Sequence, residues 1–194
     1  MTLTRLYIAT ISLVGAAALI QGCAPLVVAG AGTAAVAAHD RRTLGAFVDD
    51  AAIELKINNA IDSDDGLKQN SHINVTSMNG IVLLTGEAGT SVLRDRALGK
   101  ARDVSGIRRI VNEIRVAPPS SIGSRSHDTW LTTEVKAKLI GTENLDSTRV
   151  KVVTENDAVF LMGIVSRKEA ELATGAASTV SGITRVVKLF EYLD

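Results

Sequence analysis

Few side chains in this sequence combine the residue types and the spacing that catalysis or metal binding requires. His39, His72 and His127 are isolated, and none has a carboxylate or a cysteine at the spacing of a metal site. The carboxylates at residues 62–65 lack the alternating ligands and the distal glutamate of a calcium loop. The sequence contains no phosphate-binding loop, no nucleophile elbow and no paired histidines on a helix. We therefore predict a protein that is not an enzyme and that uses neither a metal nor another cofactor.

The one cysteine, Cys23, indicates a different chemistry. A basic residue and a fifteen-residue apolar stretch precede it, which is the organisation of a secretory signal peptide. Residues 19–23, Leu-Ile-Gln-Gly-Cys, resemble a bacterial lipobox, so residues 1–22 are predicted to be the signal peptide and Cys23 the lipid attachment site. Ala24, rather than Asp, follows the cysteine, which resembles the pattern of an outer-membrane destination. The alternative is an uncleaved membrane anchor with an incidental cysteine.

The charges of the chain balance, and this balance argues against nucleic acid as a partner. The sequence has 21 Lys and Arg against 21 Asp and Glu. The balance is also local, because residues 44–117 and 118–194 each hold nine basic and ten acidic residues. A protein that neutralises phosphates usually shows a basic excess or a basic stripe. A bundle of transmembrane helices is also excluded, because only the first forty residues carry a long apolar run.

Beyond the first 46 residues, one unit is written twice, at an interval of about 77 residues. The matching segments are 73–75 with 150–152, 79–86 with 156–163, 104–107 with 180–183, and 109–111 with 185–187. Residues 118–127, which begin Pro-Pro-Ser-Ser, are predicted to be a linker. The predicted domains are therefore 47–117 and 128–194, behind a lipidated, Ala/Gly-rich tether at 23–46. Each copy carries its own apolar set, so we expect each to fold alone.

Each copy is predicted to be an α+β domain in the order helix, strand, strand, helix, strand, with two helices packed on a three-stranded sheet. In the first copy, apolar residues spaced three to four apart indicate a helix across 53–61, and Asn79-Gly80 is a strong hairpin signal. In the second copy, the first helix is predicted to begin near Asp128. Five glycines at turns and strand ends are assigned structural roles: Gly80, Gly86, Gly106, Gly163 and Gly182.

This order of elements resembles the BON domain. The resemblance rests on hairpins that end Val-x-Leu-x-Gly at 82–86 and 159–163, and on the Ser-Gly-Ile turn after the second helix of each copy. Two such domains behind a lipobox resemble the dual-BON outer-membrane lipoproteins. The resemblance implies anionic phospholipid partners such as phosphatidylglycerol and cardiolipin, attachment to the outer membrane with the domains in the periplasm, and a role in envelope integrity under stress and at the division site. It also implies envelope protein partners, and the alternative function is a scaffold for outer-membrane assembly machinery.

Trp130, the only tryptophan, is the candidate for contact with lipid. On its predicted helix it stands about 100° from the stripe that faces the sheet. Its counterpart in the first copy is Ala52, so the fold does not require a large ring there. Lys136 and Lys138 lie nearby, and a tryptophan with lysines suits the interface of an anionic membrane. The alternative is that the ring packs on the sheet edge or on the first domain. The resemblance favours lipid, because it implies that the second domain contacts phospholipid through this helix.

Overall fold

The computed structural model describes residues 41–193, which contain two α+β units in succession. The predicted signal peptide, Cys23 and most of the predicted tether lie outside the described residues. In the first unit the elements are α1 (Leu44–Asp62), α2 (Asp65–Asn70), β1 (Ser71–Met78), β2 (Ile81–Ala88), α3 (Ser91–Arg102), β3 (Arg109–Asn112) and β4 (Arg115–Val116). Strand β2 is central, with β1 antiparallel to it and both β3 and β4 parallel to it.

The second unit repeats this arrangement. Its elements are α4 (Ile122–Ile140), a 3-10 turn (Ser147–Arg149), β5 (Lys151–Glu155), β6 (Ala158–Val165), α5 (Arg167–Ser178) and β7 (Arg185–Tyr192). Strand β6 is central, antiparallel to β5 and parallel to β7. The predicted α+β class and the predicted order of elements are confirmed. The first unit departs from the predicted order in the short helix α2 and in the division of its last strand into β3 and β4. The second unit departs from it in the 3-10 turn.

Helices α1 and α4 each have 19 residues, and both begin before the predicted start. The hydroxyls of Thr43 and Ser121 accept a hydrogen bond from the backbone N–H three residues later, at 3.1 and 3.2 Å. This capping supports the first turn of each helix. The first turn of α4 carries few apolar residues, and that of α1 exposes Leu44 and Phe47 to solvent, so the periodicity of core residues did not reveal either start. As a result, the last six residues of the predicted linker 118–127 and the last three of the predicted tether 23–46 are helical.

The two sheets pack face to face and the helices cover their outer faces, so the described residues form four layers. Successive residues of β2 and β6 point alternately to the helices and to the other sheet. The cluster between the sheets consists of Met78, Ile81, Leu83, Ala158, Phe160, Met162 and Leu189. Each unit also has its own core between its sheet and its helices, and this third cluster is shared by the two units. The expectation that each copy folds alone stays a prediction. A strand that is buried on both faces carries an uninterrupted run of apolar residues, and both β2 and β6 contain a run of this kind.

Polar side chains hold the two units together beside this cluster. The carboxylate of Glu155 accepts hydrogen bonds from Asn74 Nδ2 at 2.7 Å and from Thr85 Oγ1 at 3.1 Å, both in the first unit. In the opposite direction, Glu87 of the first unit accepts a hydrogen bond from Asn156 Nδ2. Both carboxylates are almost completely buried, with 6% of Glu155 and 2% of Glu87 exposed. Each unit therefore supplies a buried acceptor to the other.

Arg41, the first described residue, is bonded to the second unit. Its guanidinium donates hydrogen bonds to both carboxylate oxygens of Glu169, at 2.7 and 3.0 Å, and to the Ile164 carbonyl at 3.0 Å. Glu169 also accepts hydrogen bonds from Arg149 and from the backbone N–H of Ser166, which caps α5. The hydrogen bond from Arg41 is the main cause that lowers the pKa of Glu169 to about 2, with burial opposing it.

A buried aspartate in the first helix of each unit holds the hairpin turn of that unit. Asp50 accepts hydrogen bonds from the two backbone N–H groups of the first turn, at 2.6 and 2.9 Å. Asp128 accepts the two equivalent hydrogen bonds of the second turn, both at 3.0 Å. All four turn residues have φ between 50° and 72°: Asn79, Gly80, Asn156 and Asp157. In each unit the carboxylate thus fixes the hairpin against the helix that lies over the sheet.

Two glycines of the central strands lie where the neighbouring backbone leaves no room for a side chain. A Cβ at Gly86 would overlap the carbonyl oxygen of His72, and the φ of Gly86 is +102°. A Cβ at Gly163 would overlap the carbonyl oxygen of Arg149. Alanine at either position would push the adjacent backbone away from the central strand.

Candidate functional site

Trp130 lies on the outer side of α4, with 50% of its surface exposed. The same helix buries Leu131, Val135 and Leu139 against the second sheet, and at most 1% of each is exposed. The helix is therefore anchored by one side while the indole ring projects from another. A ring with half its surface open to solvent is available for contact with a partner.

His127 supports the ring of Trp130. The two ring centroids are 5.6 Å apart and the planes are inclined by 26°. The Nε2 atom of His127 lies 3.4 Å from Oδ1 of Asp157, in the hairpin turn between β5 and β6. The turn, the imidazole and the indole thus form a connected series of contacts. The sequence pattern left His127 isolated, because its partner Asp157 lies 30 residues away in the chain. The stacking of His127 on Trp130 was predictable, because residues at i and i+3 are neighbours on a helix.

Lys136 and Lys138 are exposed on either side of Trp130. At about 100° per residue, Lys138 lies about 80° to one side of the tryptophan and Lys136 about 120° to the other. Within residues 41–193, neither ammonium group has an ion-pair partner. Glu134, the nearby carboxylate on this helix, is half-buried. The side of α4 that carries the ring is therefore bordered by positive charge.

Ile122 and Ile140, which the sequence analysis did not single out, extend the apolar part of this surface. Their exposed fractions are 78% and 72%. They are 18 residues apart, which is five helical turns, so both lie on one side of α4, about 80° from Trp130. Because they are the first and last residues of the helix, their shared side is evident only once the helix bounds are known. We call the surface formed by Ile122, Trp130, Lys136, Lys138 and Ile140 the Trp130 face.

A polar cavity of about 230 Å³ is lined by residues of α4, β1 and β5. Its lining residues are His72, Asn74, Arg125, Asp128, Thr129, Thr132, Thr154 and Glu155. Burial raises the pKa of Glu155, and the nearby charges of Glu87 and Asp128 add to this effect. Both carboxylates of the cavity are engaged in holding the fold, Asp128 at the hairpin turn and Glu155 at the domain interface. Across residues 41–193, no three His, Cys, Asp or Glu side chains are grouped so as to hold a metal ion.

The helices described between residues 41 and 193 include none that is both long and apolar enough to cross a bilayer. Residues 49–118 and 127–194 each match the family model of the BON domain. The chain belongs to the BON domain family. Its similarity to one relative, the outer membrane lipoprotein DolP of Haemophilus influenzae, extends over 182 residues at 41% identity and covers 94% of both chains. The chain is thus a dual-BON outer-membrane lipoprotein.

Two further relatives are similar over most of the chain. The 21 kDa hemolysin of Actinobacillus pleuropneumoniae is 38% identical over 155 residues, which is 80% of each chain. The osmotically-inducible protein Y of Escherichia coli K12 is 31% identical over 146 residues, which is 74% of this chain and 72% of that protein. None of these three names describes an enzyme.

The two BON domains of this chain differ at the position of the tryptophan. Helix α4 of the second domain has Trp130 where helix α1 of the first has Ala52, although the two helices have the same length and the same buried positions. An exposed indole with two ammonium groups six and eight residues further along the helix matches an amphiphile, since the ring suits the membrane interface and the ammonium groups suit phosphate. The neighbouring cavity contains two carboxylates and lacks this combination of an indole ring and ammonium groups.

Proposed function

We propose that this chain is a non-enzymatic lipoprotein whose second BON domain binds anionic phospholipid through the Trp130 face. The observation that carries the proposal is the half-exposed ring of Trp130 at a position where the first BON domain has Ala52. Because both domains fold in the same way, packing does not explain a large aromatic residue at this position. An exposed tryptophan beside lysines is typical of a membrane interface.

The residues of the Trp130 face supply both an apolar and an electrostatic contribution to binding. Each lysine near an anionic surface contributes about 1 kcal/mol. The indole and the two exposed isoleucines add apolar burial at headgroup depth, as in helices that lie in the plane of a membrane. The sum is a few kcal/mol, roughly enough for weak binding by the domain alone. A lipid anchor on Cys23 would make this weak contact sufficient, because tethering raises the effective concentration of the domain at the bilayer.

The proposed cellular role follows from this lipid preference. An anchored protein that favours phosphatidylglycerol and cardiolipin accumulates where those lipids are abundant, including the division site. There it would support the integrity of the envelope under stress. The name of the DolP relative, an outer membrane lipoprotein, supports attachment of this chain to the outer membrane.

Vesicle co-sedimentation tests the proposal. The chain from Ala24 onwards, without its lipid, is expected to sediment with phosphatidylglycerol or cardiolipin vesicles and not with phosphatidylcholine vesicles. Trp130→Glu should abolish sedimentation and leave the thermal melt unchanged. Lys136→Glu should weaken it in a salt-dependent way. The matched control is Lys56→Glu on α1, which makes the same change of charge at an exposed position outside the Trp130 face.

The alternative is a protein-interaction scaffold for outer-membrane assembly machinery. A folded Trp130→Glu protein that sediments as well as the unmodified chain would exclude the lipid-binding face. Indifference of the unmodified chain to every vesicle composition would favour the scaffold.

A further inference from the structure

Helix α1 presents a stripe of apolar side chains to solvent, on the side away from the first sheet. The stripe consists of Leu44, Phe47, Val48, Ala51 and Leu55, and we call it the α1 stripe. The exposed fractions are 68% for Leu44, 53% for Phe47, 65% for Val48 and 62% for Leu55. The spacing places all five on one side of the helix, opposite the buried residues Ile53 and Ile57. One side of the helix thus packs in the core, while the opposite side carries these apolar residues exposed to solvent, with the Arg42 guanidinium 5.1 Å from the ring centroid of Phe47.

The second BON domain provides an internal control for four of the five stripe residues, all but Leu44, whose equivalent is Ile122. The residues of α4 that are equivalent to positions 47, 48, 51 and 55 of α1 are Arg125, Ser126, Thr129 and Thr133. The two helices have the same length and bury equivalent residues. The BON fold therefore does not need apolar residues at these positions. A contiguous exposed apolar patch on a folded domain usually marks a surface of interaction.

A membrane bound at the Trp130 face does not cover this stripe. Helix α1 lies on the outer face of the first sheet, and α4 lies on the outer face of the second. The two helices are therefore in opposite outer layers of the four-layer arrangement. The α1 stripe requires a different occupant.

We propose that the α1 stripe pairs with the same stripe of a second copy of this chain, with the two helices antiparallel. Such a contact is self-complementary and closes as a two-fold symmetric dimer. Val48 and Leu55 are nearly equidistant from Ala51, so antiparallel pairing about Ala51 places Leu55 of each copy against Val48 of the other. The small side chain of Ala51 lies at the crossing point and allows the two backbones to approach closely.

The carboxylate at the end of α1 is better placed in this arrangement than in a single copy. The helix has no acidic residue in its first turn and no basic residue in its last, and it ends at Asp62. A carboxylate at that end is unfavourable for the dipole of its own helix. Asp62 lies five turns from Leu44 on the same side, so antiparallel pairing brings it to the positive, N-terminal end of the second helix.

Because the contact is small, the dimer is expected to form on a membrane rather than in dilute solution. One helix stripe per subunit buries less surface than the roughly 1,200–2,000 Å² of stable protein complexes. Pairing is therefore weak in dilute solution. It is favoured on a membrane, where anchoring confines the copies to a surface and raises their effective concentration.

Disulfide cross-linking tests the inference, because the chain from Ala24 onwards contains no cysteine. An N-terminal histidine tag holds this chain on phosphatidylcholine vesicles that carry a nickel-chelating lipid, so the Trp130 face has no anionic lipid to bind. A cysteine at the crossing point, Ala51→Cys, is expected to form dimers at least about tenfold faster than Thr129→Cys, the equivalent exposed position on α4. Equal rates for the two variants would overturn the proposal.

A second variant keeps the test independent of the proposed lipid binding. Phe47→Arg, Val48→Ser and Leu55→Thr together give α1 the residues that α4 carries at those positions, which the fold accepts. In the Ala51→Cys background these changes should abolish the rapid cross-linking, and persistence of the dimer would contradict the proposal. The same three changes should leave sedimentation with phosphatidylglycerol vesicles intact, whereas Trp130→Glu should leave cross-linking intact. Loss of vesicle binding in the triple variant would instead identify the α1 stripe as a lipid contact and overturn the pairing.

Discussion

Phe160 and Leu161 are neighbours on β6 and lie in two different hydrophobic cores. Phe160, 2% exposed, points into the cluster between the two sheets, whereas Leu161, 0% exposed, points into the cluster between the second sheet and its helices. The alternation of side chains along a strand accounts for the difference. Adjacent residues therefore report separately on packing between the BON domains and on packing within one of them.

A double-mutant cycle with Leu83 separates these two kinds of packing. Leu83 belongs to the cluster between the sheets, as Phe160 does. Phe160→Ala should lower the free energy of unfolding by about 3–5 kcal/mol, and Leu161→Ala by about 2–5 kcal/mol. Denaturant unfolding should show that Leu83→Ala is coupled to Phe160→Ala by more than about 0.5 kcal/mol and is additive with Leu161→Ala. Additivity of both pairs would mean that the sheets do not share a core.

The turn aspartates provide a second prediction. Burial acts to raise the pKa of Asp50, but its hydrogen bonds from Gly80, Ser77 and other donors outweigh burial, and the pKa is lowered. Asp128→Asn removes one acceptor oxygen and the charge that faces two backbone N–H groups. The free energy of unfolding should fall by about 1–3 kcal/mol, and Asp50→Asn should act in the same direction. Asp157→Asn is the control, because the backbone N–H is kept and the half-exposed side chain contacts His127 rather than the N–H groups of the turn. A larger loss for this control than for Asp128→Asn would refute the assignment.

The element order was predictable from the sequence, because helices and strands leave different periodicities and the second copy repeated the evidence of the first. The face-to-face packing of the sheets was not predicted. The apolar runs of β2 and β6 indicate burial on both faces, but a run of this kind does not say which surface covers the second face. The contact of His127 with Asp157 was hidden for a related reason, since it joins a helix to a turn that only the tertiary fold brings together. Trp130 was found because a repeated sequence shows which positions the fold leaves free.

Glu169 gives a prediction for the acid range. Its folded-state pKa is lowered from 4.5 to about 2, mainly by the hydrogen bond from Arg41. A lowered pKa means that this group contributes its full stability above pH 4.5 and loses it as the pH falls towards 2. Glu169→Gln should therefore lower the melting temperature above pH 4.5 and flatten its decline below that pH. Glu171→Gln, an exposed carboxylate on the same helix, should leave the pH profile unchanged.

Glu155 should behave in the opposite sense. Burial raises its pKa, so the folded protein binds a proton at this site more readily than the unfolded chain does. Stability from this group therefore decreases as the pH rises through the folded-state pKa. Glu155→Gln removes the buried charge and keeps an oxygen that accepts from Asn74 and Thr85, so the melting temperature at neutral pH should rise. A lower melting temperature at neutral pH would show that the charge itself stabilises the interface.

The lipid anchor stays a prediction from the sequence, and metabolic labelling tests it. Cys23→Ser should leave an unprocessed or mislocalised precursor that incorporates no fatty-acid probe. The unmodified chain should carry the label. Because the sequence has one cysteine, a labelled Cys23→Ser protein would contradict the assignment directly.

The bond between Arg41 and Glu169 has a mechanical consequence. Arg41, the first residue that the structure describes, is held by a carboxylate 128 positions further along the chain. Tension on the N-terminal segment is therefore borne by the second BON domain as well as by the first helix it reaches. A pull from the membrane side would load the two domains in parallel, so they would resist extension as one body rather than unravel in sequence order.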